Sequence, residues 1–144
     1  MRRNNEAFSL KIAKENVLFG GEAINKDIYY IGIDIGSTAA KVSLIKDDKI
    51  NHTVLPTGWS SKETAGIIRE NIEDKYKLNL ASDMARVVAT GYGRISVEYA
   101  DFEITEITCH ARGGRELSKS ENTTIIDVGL SLIHISEPTR LGMI

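Results

Sequence analysis

A single cysteine, Cys109, is all that the 144 residues contain. One thiol excludes an internal disulfide framework and suits a reducing, cytoplasmic compartment. Alone it also cannot hold a structural zinc ion or an iron–sulfur cluster within one chain. Excess charge of either sign is lacking as well: 18 Lys and Arg against 20 Asp and Glu leave a net charge of −2. That balance makes no electrostatic case for nucleic acid or an acidic membrane as a partner. Long apolar runs are missing too. Met1-Arg2-Arg3 is basic, yet no hydrophobic stretch of membrane-spanning length follows it, so neither a signal peptide nor a membrane span is expected. What remains, 42% hydrophobic and 26% charged residues, is the composition of a soluble globular chain in a length that suits one ordinary domain.

Three stretches differ in character. Residues 1–27 are polar and irregular, with Asn4-Asn5 and Gly20-Gly21, and read as an N-terminal extension. Their apolar positions, among them Phe8, Leu10 and Ile12, allow a short helix or an edge strand at most. Residues 28–129 are strongly patterned. The near-continuous apolar run from Ile28 to Ile35 is what a strand covered on both faces needs. Gly36-Ser37-Thr38 breaks it, 41–45 resumes as a strand, Asp47-Asp48 supplies turn chemistry, and 50–55 alternates again. Those three segments predict an antiparallel meander. Ser60 and Glu63 have the spacing of a capping box, opening a helix that puts Thr64, Ile67, Ile68, Ile72 and Tyr76 on one face. A short strand over 86–89 stops at Thr90-Gly91-Tyr92-Gly93. Ile104, Ile107, Ala111 and Gly114 share a second helical face, where Gly113-Gly114 allows close approach to a sheet, and 123–128 is the last strand. The order β-β-β-α-β-α-β predicts an α/β fold, a mixed sheet with helices on its faces.

The chemistry lies at strand ends. Gly36 lets the backbone turn and leaves no Cβ in a ligand's way. Successive amides of Gly36, Ser37 and Thr38 would then point into one concavity, an anion nest, with two hydroxyls as further donors. Asp34 faces the same space, and its carboxylate suits a hydrated magnesium ion, which keeps several waters and takes one or two carboxylates. Lys41 adds positive charge if its side chain turns back. A tight hairpin with Asp as a turn residue explains this motif equally well by itself. Asp127-Val128-Gly129 repeats the arrangement at the end of another apolar strand, and two acidic strand tips can flank one phosphate–magnesium group.

The segments "IGIDIGSTAAKV" (31–42), "ATGYGR" (89–94), "EITCHARGG" (106–114) and "TIIDVG" (124–129) together resemble the activator ATPases of 2-hydroxyacyl-CoA dehydratases, which group with the benzoyl-CoA reductase ATPase subunits. Asp-x-Gly-Ser-Thr alone fits many members of the actin, Hsp70 and sugar-kinase superfamily; Thr-Gly-Tyr-Gly-Arg with Cys-His-Ala is narrower. The resemblance covers 28–129 and implies a ribonuclease-H-like ATPase fold, with ATP and magnesium between two such subdomains. It implies a homodimer bridged by one [4Fe–4S] cluster, and ATP hydrolysis that drives an electron into the dehydratase. Carried over by motif, Asp34 and Asp127 are the catalytic carboxylates flanking magnesium, Gly36, Ser37, Thr38 and Lys41 hold phosphate, and Gly129 begins a second phosphate loop. Glu106 matches an acidic position that orients water in related phosphatases, although a solvated glutamate at a helix start fits it as well.

After Gly129 the family pattern stops. The family continues Asp-x-Gly-Gly-Gln-Asp, whereas here Leu130 follows. "LSLIHISEPTR" (130–140) resembles one reading frame of the mosaic-end adapter used in transposase-based DNA library preparation. Residues 130–144 are therefore expected to be foreign, and the chain to be the first subdomain of a truncated ATPase. The cluster-binding cysteines of the family lie beyond Gly129, so Cys109 is read as a small packed residue. His110 and His52 read as surface or satisfied groups, Trp59 as packing or exposure, and Arg94 as a surface residue or a phosphate contact. Tyr92 reads as a plain turn residue or a contact to nucleotide or partner. Two other functions stay open: another phosphotransferase of the superfamily, such as a sugar kinase or exopolyphosphatase-like hydrolase, and an inactive fragment. A kinase would carry an acidic base for the sugar hydroxyl in the missing half; an activator would carry cluster cysteines there.

Overall fold

The computed structural model describes residues 27–47, 49–119, 123–128 and 133–136, the last four and 127–128 by their backbone alone. The chain divides into two compact units, one ending at Glu103 and the other starting at Ile104.

The first unit is built on a five-stranded sheet. Its strands are β1 (Tyr29–Ile35), β2 (Ala39–Lys46), β3 (Lys49–Pro56), β4 (Ala85–Thr90) and β5 (Phe102–Glu103), arranged in the order β3-β2-β1-β4-β5. The meander β1-β2-β3 is antiparallel throughout, while β4 runs parallel to β1 and β5 parallel to β4. This is the mixed α/β sheet expected from periodicity. The two-residue β5 carries too little pattern to be read from sequence. Asp47, at φ 49°, turns β2 into β3, one of the few places where a non-glycine takes a left-handed conformation.

Helix α1 (Ser61–Tyr76) covers one face. Its N-cap is Ser60, whose Oγ accepts from the Lys62 amide, 3.2 Å away, and Thr64 Oγ1 ties the first turn to Ser60 O and accepts from the Gly58 amide. Ile31, Ile33 and Ile35 of β1, Ala40, Val42 and Leu44 of β2, and Ala85, Val87 and Ala89 of β4 are buried with Ala65, Ile68 and Ile72 of α1. The burial alternates along each of these strands, so β1 is not equally covered on both faces as its apolar run suggested. The helical face is also rotated from the expected one: Ala65 takes a core place, while Ile67 is 44% exposed. Ala65 has the smaller side chain and lets the helix approach the sheet, which turns the bulkier Ile67 outward.

In the second unit Thr105 caps α2 (Glu106–Ser118), accepting from the Thr108 amide. Strand β6 (Ile125–Val128) pairs antiparallel with β7 (Ile133–Ser136), with Asp127 opposite His134. The expectation of one sheet containing the last strand is not met, since the structure has a five-stranded sheet and a separate two-stranded one. The alternating Ile133-His134-Ile135-Ser136 lies inside the stretch read as foreign. Its pairing needs no common ancestry with β6, because an unpaired strand edge accepts any short extended segment of period two. Gly114 faces Ile125, with a hypothetical Cβ 2.6 Å from Ile125 Cδ1, so the close approach read from Gly113-Gly114 belongs to Gly114 alone.

Candidate nucleotide-phosphate site

Strands β1, β3 and β4 all run in one direction, and their C-terminal ends form one edge of the sheet. Three loops meet there. The β1–β2 hairpin is closed by the Gly36 amide donating to Ala39 O at 3.2 Å. The β3–α1 loop is fastened to that hairpin by Thr57: its Oγ1 donates to Gly36 O at 2.7 Å and its amide to Thr38 O at 3.0 Å. The β4 loop folds back at Gly93, whose amide donates to Ile35 O at 2.8 Å. Strand ends where the order of strands reverses direction are the usual ligand edge of such sheets, and β1 has its chain neighbour β2 on one side and β4 on the other.

Asp34 is the penultimate residue of β1, paired in register with Lys41 of β2 and Thr90 of β4. Lys41 Nζ lies 2.9 Å from Asp34 Oδ2, with the lysine mostly exposed and the aspartate about a quarter so. Lys41 thus turns toward the strand tip, and the pair is open enough to water to contribute little to stability. The other carboxylate oxygen, Oδ1, is buried and has no hydrogen-bond partner, and the same holds for Thr90 Oγ1. Gly91 passes directly over this carboxylate at φ +88°. A Cβ there would collide with Asp34 Oδ1 and stand 2.6 Å from Ile35 O, so the position requires glycine both for its backbone and for its lack of bulk.

Asp34, Gly36, Ser37, Thr38 and Lys41 therefore come together in the first unit, but the hairpin geometry alters the expected nest. The Gly36 amide is used within the turn. Ser37 and Thr38 form the exposed tip, and among the described residues their amides have no acceptor. Asp127 belongs to the second unit, and its side chain and Gly129 lie outside the described residues. Arg94 donates from Nη1 to Gly91 O, bracing the turn. His52 meets Ser43 across the β2–β3 ladder, with Nδ1 3.0 Å from Oγ. Trp59 and Tyr92 are exposed, Glu106 is the first residue of α2, and Cys109 is half-buried on it. Thr57, Thr90 and Gly91 were the residues missed by sequence reasoning. Only Thr90-Gly91, directly after a short apolar strand, carried a signal.

No protein-family model matches the chain. The (R)-2-hydroxyglutaryl-CoA dehydratase activating ATPase of Acidaminococcus fermentans is 36% identical to it over 118 residues, covering 78% of this chain and 44% of that protein. The crystal structure of component A of the A. fermentans (R)-2-hydroxyglutaryl-CoA dehydratase superposes with a TM-score of 0.61 at 34% identity, covering 76% of this chain and 42% of the other. The chain is similar in sequence and fold to part of the 2-hydroxyacyl-CoA dehydratase activators. The activator of the Clostridium difficile 2-hydroxyisocaproyl-CoA dehydratase, determined with bound ADPNP, matches it with a TM-score of 0.57 at 31% identity, covering 76% of this chain and 46% of that one. The chain thus spans less than half the length of the curated relatives it matches. Its sheet with flanking helix is the α/β architecture of the actin-like ATPases.

Two groups that the family resemblance implies can be tested against the residues present. An acceptor-only oxygen, buried and unpartnered at a strand tip, fits a hydrated magnesium ion. Among the described residues no three or more His, Cys, Asp or Glu are grouped to hold a metal ion. The [4Fe–4S] cluster does not fit. It takes four thiolates, and the chain supplies one cysteine, two even in a dimer.

Proposed function

We propose that residues 28–129 are the phosphate- and magnesium-holding subdomain of an ATP-hydrolysing activator that drives electron transfer into a 2-hydroxyacyl-CoA dehydratase. The unpartnered Oδ1 of Asp34, in the strand that leads into the exposed hairpin tip of Ser37 and Thr38, supports this reading more than any other feature. In it, Asp34 Oδ1 faces a hydrated magnesium ion while Lys41 fixes the orientation of Oδ2. Ser37 and Thr38 donate to phosphate oxygens, and Thr57 holds the hairpin in place. Magnesium, when bound, neutralises charge on the transferring phosphoryl group. Asp127 and Gly129 contribute the second carboxylate and turn. The intact protein is a cytoplasmic homodimer, and its cluster cysteines follow a natural continuation after Gly129 that residues 130–144 replace.

The decisive measurement is ATP turnover by the protein with that continuation restored, at saturating ATP and magnesium. Asp34→Asn keeps the shape of the strand tip and removes its charge. Turnover is expected to fall by more than tenfold, on the order of 1.4 kcal/mol or more in the transition state, with little change in nucleotide affinity. Alanine at Ser37 or Thr38 weakens binding as well as rate, because those groups meet phosphate in both ground and transition states. A rate for Asp34→Asn within about threefold of wild type, roughly 0.65 kcal/mol, assigns Asp34 to the turn instead. This chain alone, lacking half of the clamp, hydrolyses ATP negligibly.

A further inference from the structure

Asp34 and Thr90 are register partners on parallel strands. The core-facing residues of both strands are the odd-numbered ones, so both these side chains lie on the opposite face of the sheet, at the same edge. Among the described residues, the buried side-chain oxygens and nitrogens that lack a partner are two, Asp34 Oδ1 and Thr90 Oγ1. Buried polar groups in folded proteins are almost always paired, so two such atoms on adjacent strands call for a shared explanation. Lys41 engages Oδ2 and leaves Oδ1, and Gly91 brings the backbone over Asp34 where any side chain would be excluded.

Resting on the magnesium reading of Asp34, we propose that Thr90 is a positioning residue of that site: its hydroxyl holds a water of the hydrated cation against the Asp34 carboxylate. The donor set favours this arrangement. Asp34 Oδ1 accepts only, whereas a threonine hydroxyl both accepts and donates. A cation-bound water donates two protons, one for each oxygen. A valine of the same shape would suit the end of a strand without introducing an unpaired hydroxyl, so the choice of threonine points to a polar ligand.

The test uses the whole chain with Mn2+ in place of magnesium, its free concentration read from the electron paramagnetic resonance of the hexaaqua ion, with and without ATP. Thr90→Val is expected to weaken Mn2+ binding about tenfold or more, the usual effect of removing an outer-sphere partner. Thr90→Ser keeps the hydroxyl and stays within about threefold of wild type. The metal-free melting temperature of Thr90→Val equals or exceeds that of wild type, since the substitution removes an unpaired buried hydroxyl. If Thr90→Val binds Mn2+ as wild type does while Asp34→Asn does not, Thr90 has no role at the cation and this proposal alone falls. A lowered metal-free melting temperature with unchanged affinity overturns it likewise, by making the hydroxyl structural. If Asp34→Asn binds as tightly as wild type, or wild type does not bind, the magnesium reading itself fails and takes Thr90 with it.

Discussion

Strand β1 lies between two other strands, and its three core isoleucines are at most 2% exposed. Strand β6, which ends in the same Ile-Asp-x-Gly sequence, pairs with β7 in a sheet of two, and its Ile126 is 65% exposed. In the second unit Ala111 is the one buried residue among those described, with Leu117 at 73%. The difference teaches what makes an acidic strand tip into a site. Asp34 has a cationic neighbour on one side and a hydroxyl neighbour on the other because β1 is central, and its backbone is fixed by two ladders. Local sequence sets the tip; flanking strands determine what it can hold. A two-stranded ribbon lacks the buried area to fix a side chain to that degree.

Substitutions at glycines sharpen that contrast most. Gly91→Ala in the first unit forces a positive φ on alanine and drives its Cβ against Asp34 and the Ile35 carbonyl, backbone that cannot yield. A loss of about 3 kcal/mol is expected, from strain plus overpacking, read as a fall in the urea midpoint. Gly114→Ala in the second unit brings its Cβ to 2.6 Å from Ile125 Cδ1 and 3.0 Å from Cγ1, so that side chain must shift, while alanine improves the helix. Its net effect is expected within about 1 kcal/mol of zero. Equal losses at the two positions would mean that the second unit is as tightly packed as the first.

The next effect in size falls within the first unit. Tyr99 donates to Ala65 O at 2.8 Å, tying the segment after the 3-10 turn (Arg94–Ser96) to α1. Burial pushes its hydroxyl above the ordinary phenol range. The folded chain therefore favours the protonated form. The stabilisation is fully present below the unfolded pKa, near 10, and is lost as pH rises above it. Tyr99→Phe should cost about 1 kcal/mol at neutral pH and narrow its gap from wild type in alkaline solution. A gap that widens with rising pH would reverse the sign.

Smaller and opposite in direction are two matched helix substitutions. A Cβ at Gly66 of α1 or Gly113 of α2 meets nothing within 4 Å. Alanine at each should stabilise its helix by roughly 0.5–1 kcal/mol. If the units unfold independently, Gly66→Ala raises the main thermal transition and Gly113→Ala does not. The smallest effect is expected from deleting residues 130–144. That should move the melting temperature of the first unit by less than about 2 °C, a few tenths of a kcal/mol, while amide protection in β6 disappears. A large fall in the first unit's melting temperature would count against the reading of that stretch as foreign.

The sequence by itself determined everything that depends on neighbours along the chain. The meander follows from period-two burial and turn residues, α1 from its Ser60 cap and 3.6-residue spacing, and the bend after Asp34 from Gly36. Gly36, Ser37, Thr38 and Lys41 were legible for the same reason, since a hairpin brings its own residues together. Tertiary structure alone decided the rest. The parallel pairing of β1 with β4 sets Thr90 beside Asp34 across more than fifty residues of chain. It also makes Gly91 the residue that passes over the carboxylate. The outward turn of Ile67 and the pairing of β6 with β7 were hidden likewise. Strand register between distant segments is fixed by the whole core at once, because shifting it by one residue would exchange the buried and open faces of a strand. No local pattern carries that information.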